Sequence, residues 1–228
     1  MGAPFEVEDV KIPVGGGEAV SGVLTVPKGY GRKRGVVLAH GAANDLNHSL
    51  LVFLAEGLAG EGFLTLRFNF LYRERGRKSP DAPEALYRAW DGAYRFVETH
   101  PEYGPERIAA AGKSMGGRIA AQMAAEGKLP AERLVFLGYP LHAPGKKEQP
   151  RAAHLHEIRV PMLFFAGTRD DFCDLELLRS VTARLEAPWE LEVIEGGNHS
   201  FETPKAGGAD EREIYSKILE KTARWLEG

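Results

Sequence analysis

Short apolar runs alternate along this chain with segments whose apolar residues recur at helical spacing. Gly35-Val36-Val37-Leu38-Ala39, Phe63 to Phe68, Arg107 to Ala111, Leu134 to Leu137, Pro161 to Ala166 and Trp189 to Ile194 read as strands. Between and after them, Ser49 to Glu61, Pro83 to Glu98, Met115 to Glu126, Asp174 to Leu185 and Ala209 to Leu226 read as helices. Strands that are apolar throughout have no face to give to water, so the alternation predicts a parallel sheet covered by helices on both sides. The first segment differs. Phe5 to Ile12 alternates apolar with polar, and the turn Val14-Gly15-Gly16-Gly17-Glu18 leads into Ala19 to Val26, which predicts an antiparallel hairpin. The expected architecture is one α/β domain over residues 1–228, a mostly parallel sheet of about eight strands with the hairpin at one edge. No repeat, low-complexity tract or linker divides it. The longest irregular stretch, Gly138 to Arg159, is rich in Pro, His and Lys, and loops of that length are more often functional than accidental, with disorder as the alternative.

Composition narrows the class of partner. A net charge of −3 gives no general reason to expect nucleic acid. No run of about 18 apolar residues is present, so no membrane span is expected. The N-terminal MGAPFEVEDV has acidic residues where a signal peptide carries basic and then apolar ones. Met1-Gly2 resembles a myristoylation start, but Phe5 and Glu6 do not follow that pattern. Cys173 is the sole cysteine, which excludes an intrachain disulfide and suits a reducing cytoplasm. The histidines show no paired ligand spacing, so neither a metal nor another cofactor is expected. Oligomeric state is not readable.

Gly112-Lys113-Ser114-Met115-Gly116-Gly117 carries the most chemistry. It joins the strand at 107–111 to the helix at 115–126, the strand–G-x-S-x-G–helix context of a nucleophile elbow. So sharp a turn strains the serine backbone, and side chains two residues either side would collide. Glycines remove those Cβ atoms and leave the Ser114 hydroxyl exposed above the sheet. A serine hydroxyl needs a base to take its proton, and on such a sheet the partners follow in the order Ser, acid, His. The strand at 161–166 ends in Gly167-Thr168-Arg169-Asp170-Asp171-Phe172, and the strand at 189–194 in Glu195-Gly196-Gly197-Asn198-His199. Both loops leave the carboxyl edge of the sheet, where chemistry gathers in open α/β folds. Ser114, Asp170 and His199 are therefore the expected catalytic residues. Asp171 is the rival acid, and Asp171 or Asp174 is available to cap the next helix. Cys173 has no elbow around it and is not expected to act as a nucleophile.

An oxyanion needs two preorganised N–H donors. Met115 is the expected first. The second comes from His40-Gly41-Ala42-Ala43-Asn44-Asp45, with Ala42 preferred to Ala43 and His40 expected to fix that loop. Another loop at the same edge, Leu71-Tyr72-Arg73-Glu74-Arg75-Gly76-Arg77-Lys78, is strongly basic, and His142, Lys146 and Lys147 lie in a third. Arg73, Arg75 and His142 are candidate substrate-binding residues for an ester bearing a carboxylate or phosphate. The alternative is a solvated loop whose charges pair with Glu74 and nearby acids.

Taken together, His40-Gly41, Gly112-x-Ser114-x-Gly116, Gly167-x-x-Asp170 and His199 resemble the α/β-hydrolase superfamily over nearly the whole chain. HGAANDLNHSL, RFNFLYRERGRKSPD, GKSMGGRIA, LGYPLHAPGK and GTRDDF resemble one family of small hydrolase-like proteins. That family has bacterial members and eukaryotic relatives that include a testis-expressed protein and a subunit of a histone-acetyltransferase complex. Dienelactone-hydrolase-like enzymes are a broader neighbouring comparison. The resemblance implies the fold and a serine hydrolase mechanism, without fixing a substrate. Many superfamily members carry a cap of several dozen residues between the strands at 134–137 and 161–166. This chain has room only for a loop and one short helix, so no large cap domain is expected, and the site is roofed at most by Pro140 to Pro144. The expected function is a serine esterase or thioesterase acting on small soluble acyl compounds. The alternatives are a non-catalytic binding or scaffold protein, or a small serine peptidase.

Overall fold

Each strand of the parallel region is apolar on both sides because each side has helices to meet. The computed structural model describes residues 3–31, 33–204 and 208–228, so the Met1-Gly2 start lies outside the described residues. Eight strands form one sheet: β1 (Phe5–Pro13), β2 (Ala19–Pro27), β3 (Arg34–Ala39), β4 (Leu64–Phe68), β5 (Arg107–Lys113), β6 (Leu134–Leu137), β7 (Met162–Gly167) and β8 (Trp189–Ile194), in the order β1-β2-β4-β3-β5-β6-β7-β8. The six strands from β3 onward are parallel, and the β1–β2 hairpin joins antiparallel through β4. The helices are α1 (Ser49–Gly60), α2 (Leu71–Glu74), α3 (Pro83–Glu98), α4 (Met115–Ala125), α5 (Leu175–Thr182) and α6 (Glu211–Glu227).

The two-residue period of the strands sorts their side chains into two cores. Val37, Phe136 and Phe164 join Trp90 of α3, Ile119 of α4 and Leu178 of α5 in one layer. Their neighbours Val36, Val135 and Phe165 join Leu54 of α1 and Ile218 of α6 in the other. No cap separates β6 from β7. That stretch is irregular apart from a 3₁₀ turn at Ala153–Glu157.

Two local readings change. β5 runs beyond Ala111 to Lys113, because Gly112 still pairs with Ala39 of β3 and Lys113 with Leu137 of β6. Leu71 to Glu74 is the helical turn α2 rather than loop, since Leu71 and Tyr72 are buried beneath it. The parallel strands all point the same way, and neighbours end nearly together: Ala39 lies opposite Phe68 and Gly112, and Gly167 opposite Ile194. The segments after β3, β5, β7 and β8 therefore emerge at one rim.

Gly92 tests the packing of α3. A Cβ there would stand 2.6 Å from the Pro13 carbonyl oxygen, whereas one at Gly31 would meet nothing within 4 Å. In a free helix Gly→Ala gains about 1 kcal/mol. Here Gly92→Ala should instead lose about 1–3 kcal/mol in urea unfolding, while Gly31→Ala stays neutral or gains slightly. A stabilised Gly92→Ala would show that α3 does not sit against the hairpin turn as described.

Candidate active site

The elbow is built from close backbone contacts. Ser114 sits at φ 49°, ψ −114°, and only it and Phe201 among the described non-glycine residues have positive φ. A Cβ on Gly112 would lie 2.2 Å from the Gly117 nitrogen, and one on Gly116 would lie 2.6 Å from the Ala39 carbonyl oxygen. No side chain fits at either place. The Ser114 amide donates to Leu137 O (3.1 Å), and the buried Trp90 indole N–H donates to Gly116 O (3.1 Å), so strand β6 and helix α3 clamp the turn from two sides.

Ser114 Oγ lies 2.8 Å from His199 Nε2, and His199 Nδ1 lies 2.8 and 2.9 Å from the two carboxylate oxygens of Asp170. The Asp170 side chain is 0% exposed and that of His199 18%, so the acid is sealed behind an imidazole that reaches the surface. Asp170 Oδ1 also accepts the Phe172 amide (2.8 Å), and the Phe172 ring lies 4.5 Å from the imidazole. Asp171 points to solvent, and Asp174 caps α5 by accepting the Leu177 amide (2.9 Å). The structure thus brings together Ser114, Asp170 and His199 and leaves Asp171 outside. The histidine loop is closed by Asn198, whose Oδ1 accepts the amides of Ser200 (2.8 Å) and Glu202 (2.9 Å).

The loop after β3 lies against the serine, since a Cβ on Gly41 would stand 3.5 Å from Ser114 Cβ. Met115 opens α4, so its N–H has no partner in the helix, and neither it nor the Ala42 N–H finds an acceptor among the described residues. Two free amides beside a nucleophile are what a developing oxyanion needs. His40 holds this loop, its Nδ1–H donating to Gly41 O (2.8 Å) and its Nε2 accepting the Phe70 amide (3.2 Å). Burial, the largest influence, pushes the His40 imidazole down to about 4. The Tyr72 hydroxyl adds a bond to Ala42 O (2.8 Å). Neither Tyr72 nor Trp90 stands out in the sequence, because the partner of each is a backbone carbonyl about 30 residues away in the chain.

The three candidate substrate-binding residues take other roles. Arg73 pairs with Asp45 at 3.3 Å, which ties α2 to the loop after β3. Arg75 turns back to Glu18 in the hairpin turn and to Asp81. Folding of Leu71–Glu74 as a helical turn aims both guanidiniums at carboxylates rather than at the serine. His142 is buried, with Nδ1–H donating to Ala143 O (2.9 Å) within its own loop and Nε2 accepting the Asp174 amide (3.0 Å), so Nε2 anchors the β6–β7 loop to the N-cap of α5. Lys147 pairs with Asp174. Cys173 is buried, and burial raises its thiol far above the usual range, which disfavours the thiolate. Among the described residues no three His, Cys, Asp or Glu side chains gather so as to hold a metal ion.

Two desolvated histidines, one buried and one half-buried, set an acid limit on stability. His154, bonded to the Tyr139 hydroxyl at 2.7 Å, is pushed down to about 4, first by burial and then by Arg118. Between about 4 and the ordinary 6.5, the unfolded chain binds more protons at His40 and His154 than the folded chain does. Stability is therefore intact above 6.5 and falls as pH drops through that window. Urea unfolding at pH 7 and pH 5 should show this loss, and His154→Gln should make it smaller. A wild-type stability that is flat over that interval would contradict the neutral desolvated imidazoles.

An alpha/beta hydrolase domain model matches residues 32–227. Over 204 residues the chain is 29% identical to a Mycobacterium tuberculosis protein named "Putative phosphoribosyl transferase", an alignment covering 88% of this chain and 43% of that protein. The chain spans less than half the length of that relative, and the transferase name is that of the longer protein. Among solved structures, dienelactone hydrolase from Anabaena variabilis superposes with a TM-score of 0.75 at 21% identity, over 98% of this chain and 97% of that one. An alpha-beta serine hydrolase homologue from Coxiella burnetii superposes with a TM-score of 0.74 at 23% identity, over 96% and 97%. These likenesses show the shared fold. With the match over most of its length, the chain belongs to the alpha/beta hydrolase domain family.

Proposed function

We propose that this protein is a serine hydrolase that cleaves small, soluble acyl esters or thioesters through an acyl-enzyme on Ser114. The observation that carries the reading is the unbroken relay from Ser114 Oγ through the His199 ring to the buried Asp170 carboxylate, with 2.8 Å at each step. His199 Nε2 takes the serine proton as Oγ attacks the acyl carbon, then delivers it to the leaving oxygen or sulfur. Asp170 holds the Nδ1–H tautomer and stabilises the imidazolium between those steps. The amides of Ala42 and Met115 receive the negative charge that builds on the carbonyl oxygen. Water, activated by the same imidazole, then releases the acid. The absence of a large cap between β6 and β7 favours small substrates over long acyl chains, which need an apolar groove. Arg73 and Arg75 are already held by carboxylates, which favours neutral acyl compounds over anionic ones. No helix among the described residues is long and apolar enough to cross a membrane. The lone buried Cys173 suits a reducing compartment such as the cytoplasm.

Turnover of p-nitrophenyl acetate and of a short acyl thioester tests this. Ser114→Ala and His199→Ala should each lower kcat by roughly 10³-fold or more, and Asp170→Asn by about 10²–10⁴-fold. Asp171→Asn should stay within about twofold of wild type, because its side chain faces solvent. Undiminished turnover in folded Ser114→Ala would overturn the proposal.

A further inference from the structure

Lys113 occupies the variable position just before the nucleophile, and it is only 2% exposed. Side chains alternate along β5, so while Ser114 begins the turn into α4, the lysine runs behind the site. Its Nζ donates to the backbone carbonyl of His199 at 2.6 Å and sits 5.6 Å from the centre of the Phe201 ring. The positive-φ Gly138 at the end of β6 lies alongside. A Cβ there would stand 3.3 Å from the ammonium, 3.6 Å from His199 Cε1 and 3.0 Å from His199 O. The ammonium and the imidazole thus flank one glycine, and the lysine links the nucleophile strand to the residue carrying the base.

The chemistry of this contact is unusual for a structural residue. No carboxylate of the described residues lies within ion-pair distance of Lys113. The groups whose charge it feels are Asp170 from the loop after β7 and Glu202 from the histidine loop, and it in turn acts on His48 at the start of α1. A buried ammonium satisfied by one neutral carbonyl and an aromatic face costs stability, and an apolar side chain of similar length would fill the space with less penalty. Burial pushes it down to about 8, so it carries its charge at neutral pH.

We propose that Lys113 is a positioning residue that fixes the His199 backbone from behind, so that the imidazole meets Ser114 and Asp170 at once. This inference rests on the serine hydrolase reading. Packing alone does not call for a cation here, whereas a charge-assisted bond to the carbonyl of the catalytic histidine gives it a definite task. Small displacements of a catalytic group are costly to rate while barely affecting substrate binding.

The test compares wild type, Lys113→Met, Lys113→Gln and Ser114→Ala for ester turnover and thermal unfolding at pH 7. Lys113→Met should lower kcat by about tenfold or more, leave KM within about twofold and leave Tm unchanged or raised. Lys113→Gln, which can still donate to the carbonyl, should recover part of the loss. A folded Lys113→Met with kcat within about twofold of wild type overturns the inference, as does a fall in kcat that merely tracks a fall in Tm. If neither variant folds, wild-type kcat on a non-ionising ester decides. It should decline as pH rises through about 8, where the ammonium loses its proton, and a constant kcat from there upward overturns the inference. Persistent turnover by Ser114→Ala would instead sink the hydrolase reading, so the two failures are distinguishable.

Discussion

The site depends on one strained residue held where it would not rest by itself. At φ 49°, ψ −114° the Ser114 backbone lies in a region that L-residues avoid, at a cost on the order of 1–3 kcal/mol. Its neighbours over-determine it. The Ser114 amide is bound to β6, and the next turn of α4 is pressed so closely onto β3 and β5 that only glycine fits at 112 and 116. The sheet and helices supply the stability that keeps this turn in place, and the turn sets the hydroxyl at the rim with the first amide of α4 beside it.

Everything else at the rim follows from strand register. Because β3, β5, β7 and β8 run parallel, the His40–Asp45 loop, Ser114, Asp170 and His199 arrive at one edge from four separate parts of the chain. Three of these arrivals are then fixed by side chains outside the Ser114–His199–Asp170 relay. His40 and Tyr72 hold the loop at Ala42, Trp90 holds the elbow, and Asn198 and Lys113 hold the histidine loop. Groups with definite partners outnumber the three in the relay, which is the arrangement of a preorganised site.

The apolar runs and the glycine spacing made the sheet, the elbow and the two later loops legible from the residues alone. They are local signals, and local signals survive in a linear reading. Asp170 could be preferred while Asp171 stayed its rival, since the choice turns on which of two adjacent side chains faces inward after Gly167. The basic loop left two readings open for the opposite reason. Charge in Arg73 and Arg75 is visible in sequence, but their partners Asp45, Glu18 and Asp81 are not, and partners decide whether an arginine greets a ligand or closes a structure. His142 looked available and is locked at both nitrogens. Lys113 sat unread within the most informative motif, because its partner lies 86 residues onward, on a backbone atom that no pattern marks.

On the proposed reading the hydroxyl at the elbow is an activated nucleophile. Intact-mass and peptide mapping after brief exposure of folded protein to a fluorophosphonate addresses it most directly. One adduct per chain is expected, located on Ser114, absent from Ser114→Ala and much slower to form in His199→Ala. A folded protein that stays unmodified at Ser114, or that is modified there equally fast without His199, would contradict it.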